Sequence, residues 1–226
     1  MVKVAVVLSG CGFLDGAEIH EAVLTAYFLE RAGAELIYAA PDVEQMHVVD
    51  HRTGEVAEGE SRNVLTEAAR IARGEILPVE ELAAADLDAV VLPGGFGAAK
   101  NLSDFAVAGS GCQVHPGVAG LLADVHAAGK PIGAVCIAPA VVARVLGEHH
   151  PELTIGTDAG TASALTEMGA RHTDRGVQEI VVDGATRIVS TPAYMLGPRI
   201  TDVAAGIEAL CERVVALARE PQVVEG

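Results

Sequence analysis

Short apolar runs alternate with longer amphipathic stretches along most of the chain. Apolar runs are typical of parallel strands buried on both faces, and apolar residues recurring every three or four positions are typical of helices packed on a sheet. The runs predict strands over residues 4–8, 35–40, 89–92, 132–135 and 153–156. The amphipathic stretches predict helices over residues 18–32, 62–73, 118–128, 138–146, 161–168 and 200–219.

Two segments, residues 47–57 and 180–190, carry turn residues between alternating positions and predict antiparallel hairpins. The second contains Asp183-Gly184, a pair that a type I′ turn prefers. We therefore expect one domain over residues 1–226, an α/β fold with a doubly wound parallel sheet, helices on both faces and small hairpin additions. Ligands of such sheets bind beyond the carboxyl ends of the strands, which here means residues 9–16, 93–100 and 136–139.

The charge balance limits the partners of this protein. Lys and Arg total 15 against 31 for Asp and Glu, a net charge of −16, which argues against binding to nucleic acid. The first apolar run stops at Ser9-Gly10 and is too short for a signal peptide or a membrane span. The cysteines are far apart and form no CxxC pair, which predicts reduced thiols in the cytoplasm, with neither a disulfide scaffold nor a zinc site.

Cys136 is the strongest candidate for chemistry. It directly follows the strand predicted over residues 132–135 and precedes a predicted helix, as the nucleophile of a strand-to-helix elbow does. Its neighbours Ala134 and Ala138 are small, although they are not Gly. A position before a helix N-terminus favours thiolate, so we expect Cys136 to be the one thiol with a lowered pKa. The alternative is an ordinary buried cysteine of the core.

Two loops supply groups that would assist such a thiol. In Pro93-Gly94-Gly95-Phe96-Gly97 the glycines let backbone N–H groups point into a site, so Gly95 and Ile137 are candidate oxyanion donors. The predicted first helix carries Glu18, His20 and Glu21 near its start, and one of these could hydrogen-bond the thiol or move a proton. The alternatives are a tight turn without a ligand and solvated charges at a helix terminus.

Two other patterns suggest sites less specifically. Gly10-Cys11-Gly12 resembles a dinucleotide fingerprint, but Asp15 occupies the third glycine position, where its carboxylate would face pyrophosphate. His149 and His150 are adjacent without further ligands, which is typical of solvated side chains.

Several motifs resemble known families. Gly94-Gly95 after a strand, Cys136 at an elbow and Glu21 in the first helix resemble the superfamily of class I glutamine amidotransferase-like proteins, PfpI peptidases and the Parkinson-associated deglycase. From about residue 3 to about residue 218, longer matches resemble the ElbB (enhancing lycopene biosynthesis) family. They are Ser9-Gly10-Cys11-Gly12, the segment 15–24, the segment 93–102, Cys136-Ile137-Ala138-Pro139-Ala140, Thr154-Ile155-Gly156-Thr157-Asp158 and Thr191-Pro192-Ala193-Tyr194-Met195.

This resemblance implies a flavodoxin-like sandwich, usually a homodimer, with Cys136 as nucleophile and Glu21 as its acidic partner. It also implies a weak glyoxalase activity, which converts small dicarbonyls to 2-hydroxy acids without metal or other cofactor, and a link to isoprenoid production. Relatives in the wider superfamily carry a His on the strand after the elbow helix, where this sequence offers Thr157 and Asp158. That departure weakens the case for a full Cys-His-acid triad and for glutamine hydrolysis.

The sequence thus predicts a cytoplasmic glyoxalase-type enzyme that takes a small carbonyl substrate and binds neither nucleic acid nor membrane. Two alternatives remain open: a glutaminase-like subunit, and a non-catalytic binding or regulatory protein on the same scaffold. The residues expected to line the site, besides those named as catalytic or oxyanion donors, are Cys11, Asp15, Glu18, His20, Gly94, Phe96, Thr157 and Asp158.

Overall fold

The computed structural model describes residues 1–220 and consists of short strands alternating with helices. The strands are β1 (Val2–Val7), β2 (Ala34–Ala40), β3 (Leu77–Pro78), β4 (Ala89–Leu92), β5 (Ile132–Val135), β6 (Glu152–Leu153), β7 (Arg171–His172), β8 (Val181–Asp183) and β9 (Ile188–Thr191). The helices are α1 (Ile19–Arg31), α2 (Val64–Ile71), α3 (Phe96–Lys100), α4 (Phe105–Ala108), α5 (Pro116–Ala127), α6 (Pro139–Leu146), α7 (Ala159–Glu167) and α8 (Ile200–Arg219).

The main sheet has seven strands in the order β3-β2-β1-β4-β5-β9-β8. Neighbouring strands are parallel except β8, which runs antiparallel to β9 at the edge. Alternate residues of the central strands face opposite layers, as the two-residue period of a strand requires. Helices α1, α2 and α8 cover one face and α5 and α6 cover the other. The expected flavodoxin-like α/β sandwich is therefore confirmed.

Most predicted elements agree with the structure to within a few residues. The clearest cases are the strands predicted over residues 89–92 and 132–135, because β4 and β5 have these bounds. Pro116 and Pro139 occupy the first helical positions of α5 and α6, where the missing N–H costs nothing. Four short elements had no clear sequence signal: β3, β7, α3 and α4.

The strand expected over residues 153–156 is wrong. Only Glu152–Leu153 is extended, and it pairs with β7 in a separate two-stranded sheet. The backbone then turns away, because the Thr154 N–H donates to Ser190 Oγ and the Gly156 N–H donates to Thr154 Oγ1. With these donors engaged by hydroxyl groups, no ladder continues along the main sheet.

The two expected hairpins have different outcomes. The second exists as the β8–β9 pair, but its connection has four residues and Gly184 does not have a positive φ, so the type I′ turn is wrong. Instead, Asp183 Oδ1 accepts the N–H groups of Ala185 and Thr186. The first is reduced to a single antiparallel bridge between Val49 and Val56.

Within residues 1–220, no helix combines the length and apolar character needed to cross a bilayer. The carboxyl ends of β1, β4, β5 and β9 meet at one edge of the sheet, and the loops that follow them carry most of the candidate residues.

Candidate active site

Cys136 lies at a strained turn between β5 and α6. Its φ is +62°, a left-handed conformation that residues other than Gly rarely adopt. The turn is fixed by the Cys136 N–H, which donates to Thr191 O at 2.9 Å, and by the Ala138 N–H, which donates to Val135 O at 3.0 Å. Strain held by surrounding structure is common at functional sites. The side chain is almost buried, with 7% of its residue surface exposed.

Glu21 reaches the same point from the first turn of α1, and its residue is fully buried. Its Oε2 accepts the N–H of Gly94 at 3.0 Å, and its Oε1 accepts the N–H of Tyr194 at 3.1 Å. The carboxyl group also shares a hydrogen bond with the Cys136 thiol. Loops after β4, β5 and β9 thus all meet at this one carboxyl.

Burial is the main cause that raises the pKa of Glu21 to about 8, and the nearby carboxylate of Glu18 acts in the same direction. The hydrogen bonds from Tyr194, Cys136 and Gly94 oppose this rise only in part. At pH 7 the Glu21 carboxyl therefore mostly holds its proton, so it is able to donate a hydrogen bond to sulfur.

Burial also raises the pKa of the Cys136 thiol well above its ordinary value, and an ionised Glu21 raises it further. The N–H groups of Gly95 and Ile137 donate to the sulfur and lower this pKa, but they do not outweigh burial. The expectation that Cys136 has a lowered pKa is therefore wrong. The position before a helix predicted a stabilised thiolate, but burial dominates once the fold closes around the sulfur.

The glycines beside the sulfur are required by close packing. A Cβ on Gly94 would lie 2.3 Å from the Cβ of Cys136 and 2.5 Å from Oε2 of Glu21. Gly95 has φ +96°, and a Cβ there would lie 2.3 Å from the backbone nitrogen of Glu18. Side chains at either position would separate the loop from the thiol and its carboxyl partner.

A cavity of about 660 Å³ opens over the thiol. Six of the residues named from the sequence line it: Glu18, His20, Gly95, Phe96, Cys136 and Ile137. The others in the lining are Phe13, Ala99, Phe105, Ala106, Thr161, Tyr194 and Met195. Glu21 and Gly94 are not part of this lining, but both lie beside Cys136.

Four residues expected to line the site have other roles. Asp15 is buried and its Oδ2 accepts the Val49 N–H at 2.8 Å, which holds the 47–57 segment against the loop after β1. Cys11 lies on the side of α2, where burial raises its pKa and the nearest charges include Glu67. Thr157 is exposed. Asp158 caps α7 by accepting the Thr161 N–H at 2.8 Å.

An imidazole does border the cavity, but from α1. Nδ1 of His20 lies 2.8 Å from the hydroxyl of Tyr194 and 3.9 Å from Oε1 of Glu18. Glu18 itself is the N-cap of α1, and its Oε2 accepts the Glu21 N–H at 2.7 Å. Sequence reasoning did not assign Tyr194 to the site. Its place in the loop that follows β9, at the carboxyl edge of the sheet, is the signal that would have found it.

The chain is similar to known proteins over nearly its whole length. The DJ-1/PfpI family profile matches residues 3–194. The human protein named glutamine amidotransferase-like class 1 domain-containing protein 3, mitochondrial, is 50% identical, over 95% of this chain and 83% of its own length. The ES1 protein, mitochondrial, of Danio rerio is 38% identical, over 85% of this chain and 77% of its own.

Among solved structures, an isoprenoid biosynthesis protein with an amidotransferase-like domain from Ehrlichia chaffeensis superposes with a TM-score of 0.90. The two chains are 38% identical, and the match covers 96% of this chain and 99% of the other.

Proposed function

This chain belongs to the DJ-1/PfpI family, and from that premise we propose a cofactor-free glyoxalase-type enzyme that converts 2-oxoaldehydes to 2-hydroxy acids. The observation that carries the proposal is the buried pair of Cys136 and Glu21, which share a hydrogen bond beside an open cavity. The proposal includes membership of the ElbB family within this superfamily. A similar protein named for isoprenoid biosynthesis supports a role near that metabolism.

In the first proposed step, the sulfur of Cys136 adds to the aldehyde carbon. A C–S bond forms, the C=O electron pair moves to oxygen, and the thiol proton reaches that oxygen through Glu21, giving a hemithioacetal. The Gly95 and Ile137 N–H groups already donate to the sulfur, so they are near enough to hold the new oxygen while it carries charge. Two such donors are the usual device for stabilising an oxyanion.

In the next step, Glu21, in the fraction of molecules that carry it as a carboxylate, removes the proton from the former aldehyde carbon and returns it to the neighbouring carbonyl carbon, while the hydroxyl proton moves to the neighbouring oxygen. One carbon is oxidised and its neighbour reduced, so no external oxidant or reductant is consumed, and the product is a thioester of the 2-hydroxy acid. Water then cleaves the C–S bond, which releases the acid and restores the thiol. A pKa of about 8 suits Glu21 to giving and taking a proton near neutral pH.

The glutaminase alternative calls for a general base beside the thiol, commonly an imidazole. The side chain that shares a hydrogen bond with Cys136 is a carboxyl, and the imidazole of His20 contacts Tyr194. This arrangement favours carbonyl chemistry. The binding-protein alternative predicts that 2-oxoaldehydes react no faster than they do with a free thiol.

The test compares wild type with Cys136→Ser on glyoxal, methylglyoxal and glutamine, with the 2-hydroxy acid or ammonia measured directly. We expect 2-hydroxy acid from wild type and essentially none from the variant. Equal rates for the two proteins would exclude the covalent mechanism, and ammonia release from glutamine would favour the glutaminase alternative. Circular dichroism of both proteins checks that the substitution preserves the fold.

Location and assembly are further parts of the proposal. The widely separated thiols favour a reducing compartment, which we take to be the cytoplasm, although the similar human and Danio rerio proteins are named mitochondrial. Fractionation of cells that express the tagged chain tests this directly. The homodimer and the absence of nucleic-acid or membrane binding are proposed on the family resemblance and on the net charge of −16.

A further inference from the structure

The lining of the cavity is far more apolar than a two-carbon dicarbonyl requires. Its side chains include three phenylalanines, an isoleucine and a methionine, at Phe13, Phe96, Phe105, Ile137 and Met195. Its volume of about 660 Å³ is well within the range of ~300–1,000 Å³ that holds drug-sized ligands. Glyoxal would leave most of this apolar surface in contact with water.

The charges around the cavity disfavour negatively charged substrates. Of the residues that the structure describes, those lining the cavity include neither Lys nor Arg, whereas Glu18 is among them. Lys100 lies nearby, but its ammonium donates to Leu14 O and sits 5.5 Å from the ring centroid of Phe96. A phosphorylated or carboxylated substrate would therefore find a carboxylate in the wall and neither Lys nor Arg to pair with.

We propose that the cavity selects neutral 2-oxoaldehydes that carry an apolar alkyl or aryl group, with the reactive carbonyls at Cys136 and the apolar group against the phenylalanines. This substrate class rests on the proposed function of the same site. Each methylene buried in such a pocket strengthens binding about fourfold. The preference should therefore grow with chain length until the cavity is filled.

The first experiment measures kcat/KM for linear 2-oxoaldehydes from methylglyoxal to 2-oxooctanal. We expect an increase of about fourfold per methylene over the first members of the series. A flat or falling series, with methylglyoxal still converted, would overturn the substrate class and leave the glyoxalase proposal standing. Conversion of no member above the Cys136→Ser background would instead contradict the proposed function.

A second experiment measures occupancy without turnover. Methyl ketones are neutral and far less reactive than 2-oxoaldehydes, so propan-2-one and octan-2-one can be compared as protectors of Cys136 from iodoacetamide. Octan-2-one has five more methylenes than propan-2-one, so at about fourfold for each we expect it to slow alkylation of Cys136 at concentrations roughly a hundredfold or more lower. Equal protection would overturn the inference even if no 2-oxoaldehyde is converted. Cys11, which is outside the cavity lining, reports any effect on the reagent itself.

A matched pair of variants localises the effect. Ala106 lines the cavity from α4, whereas the adjacent Val107 is 76% exposed and is not in the lining. Ala106→Trp should fill apolar space and reduce the ratio of kcat/KM for 2-oxooctanal over methylglyoxal by about tenfold or more, the equivalent of roughly two lost methylenes. Val107→Trp adds the same bulk to solvent and should leave that ratio unchanged. If both variants, or neither, change the ratio, the apolar chain does not occupy this cavity.

Discussion

The carboxyl group of Glu21 and the thiol of Cys136 share one hydrogen bond inside the protein, and each shifts the pKa of the other. An ionised Glu21 raises the pKa of the thiol, while the hydrogen bond with the thiol lowers the pKa of Glu21. Two groups coupled in this way titrate together, so each apparent pKa is a property of the pair and not of one residue. The pair, more than the thiol alone, is the unit that mutagenesis has to test.

The first prediction concerns the reactivity of Cys136 in Glu21→Gln. Below pH 8 the wild-type carboxyl is mostly protonated, since its pKa is about 8, and Gln is also an uncharged donor. Below pH 8, the rates at which iodoacetamide alkylates Cys136 in wild type and in Glu21→Gln should therefore agree within about an order of magnitude. Above pH 8 only the wild type places a carboxylate beside the sulfur, so the variant should be alkylated faster.

The measurement is the alkylation rate from pH 6 to pH 10, with adducts mapped by mass spectrometry. Cys11 lies outside the site and should show the same profile in both proteins, and the buried Cys112 and Cys211 should react slowly. Parallel profiles for Cys136 in wild type and variant would mean that Glu21 does not control the thiol.

The free energy of unfolding should also depend on the ionisation of Glu21. The pKa of Glu21 rises from 4.5 to about 8 in the folded protein, so the folded state retains a proton that the unfolded chain has lost between these values. The stability that this protonated Glu21 gives the folded state is fully present below pH 4.5, and it is lost as the pH rises through 8. At about 1.4 kcal/mol per pKa unit, wild type should lose roughly 3–5 kcal/mol over this window relative to a variant without the carboxyl.

The measurement is urea unfolding of wild type and Glu21→Gln between pH 5 and pH 8. Subtracting the two curves removes the pH dependence that the other ionisable groups contribute equally to both proteins. The variant has its own constant penalty of about 1–3 kcal/mol, because an amide cannot accept from both Gly94 and Tyr194 and donate to sulfur. A difference that does not change with pH would show that Glu21 titrates normally.

Turnover should separate Glu21 from Glu18. Glu21→Gln removes the proposed acid–base group and should reduce conversion of methylglyoxal by a hundredfold or more. Glu18→Gln keeps an oxygen that accepts the Glu21 N–H, so it should reduce conversion much less. Should Glu18→Gln prove the more damaging change, Glu18 is the base. If neither matters, His20 is the next candidate, because Asp15 and Asp158 are engaged in loop and cap hydrogen bonds.

The glycine beside the thiol offers a steric test of the same pair. Gly94→Ala would place a methyl group 2.3 Å from the Cβ of Cys136, so the loop must move and turnover should fall at least tenfold, with a loss of stability of about 1–3 kcal/mol. Gly111→Ala is the matched control, since a Cβ there meets nothing within 4 Å and its φ is not positive. Full activity in Gly94→Ala would contradict the packing at this site.

The sequence predicted the positions of the site better than its electrostatics. Local patterns were enough to place Cys136 after a buried strand and Glu21 in the first helix, because strand and helix periodicities are local properties. The pKa of Cys136 depends on how deeply the closed fold buries the sulfur, and no local pattern contains that information. For this reason the expected lowered pKa was wrong although the elbow is present.

Some residues that the sequence predicted to line the site lie elsewhere, and the reason is related. Asp15 and Asp158 have a suitable residue type in loops predicted to follow strands, but Asp15 accepts the Val49 N–H and Asp158 accepts the Thr161 N–H. Short polar side chains commonly make such bonds in loops and helix caps. Phe105 enters the cavity from a segment with no chemical motif, so only the tertiary structure brings it there.

The last prediction concerns the proposed homodimer and where it forms. Helix α1 exposes an apolar stripe at successive turns, Ile19, Val23 and Tyr27, with 44%, 51% and 55% of their surfaces exposed. Residues four positions apart share a face of a helix, so these side chains form one continuous surface, and His20 lies on the same helix. An apolar surface of this kind on a protein of net charge −16 is a suitable contact for a second copy.

Light scattering coupled to size exclusion should therefore give a dimer for wild type and a monomer for Val23→Glu, because a carboxylate in the centre of the stripe would be buried without a partner. Val107→Glu is the matched control: Val107 is 76% exposed on α4, and the same substitution there should leave the dimer intact. A wild-type monomer at all concentrations would refute the dimer. A dimer that survives Val23→Glu would keep the assembly but move the interface away from α1.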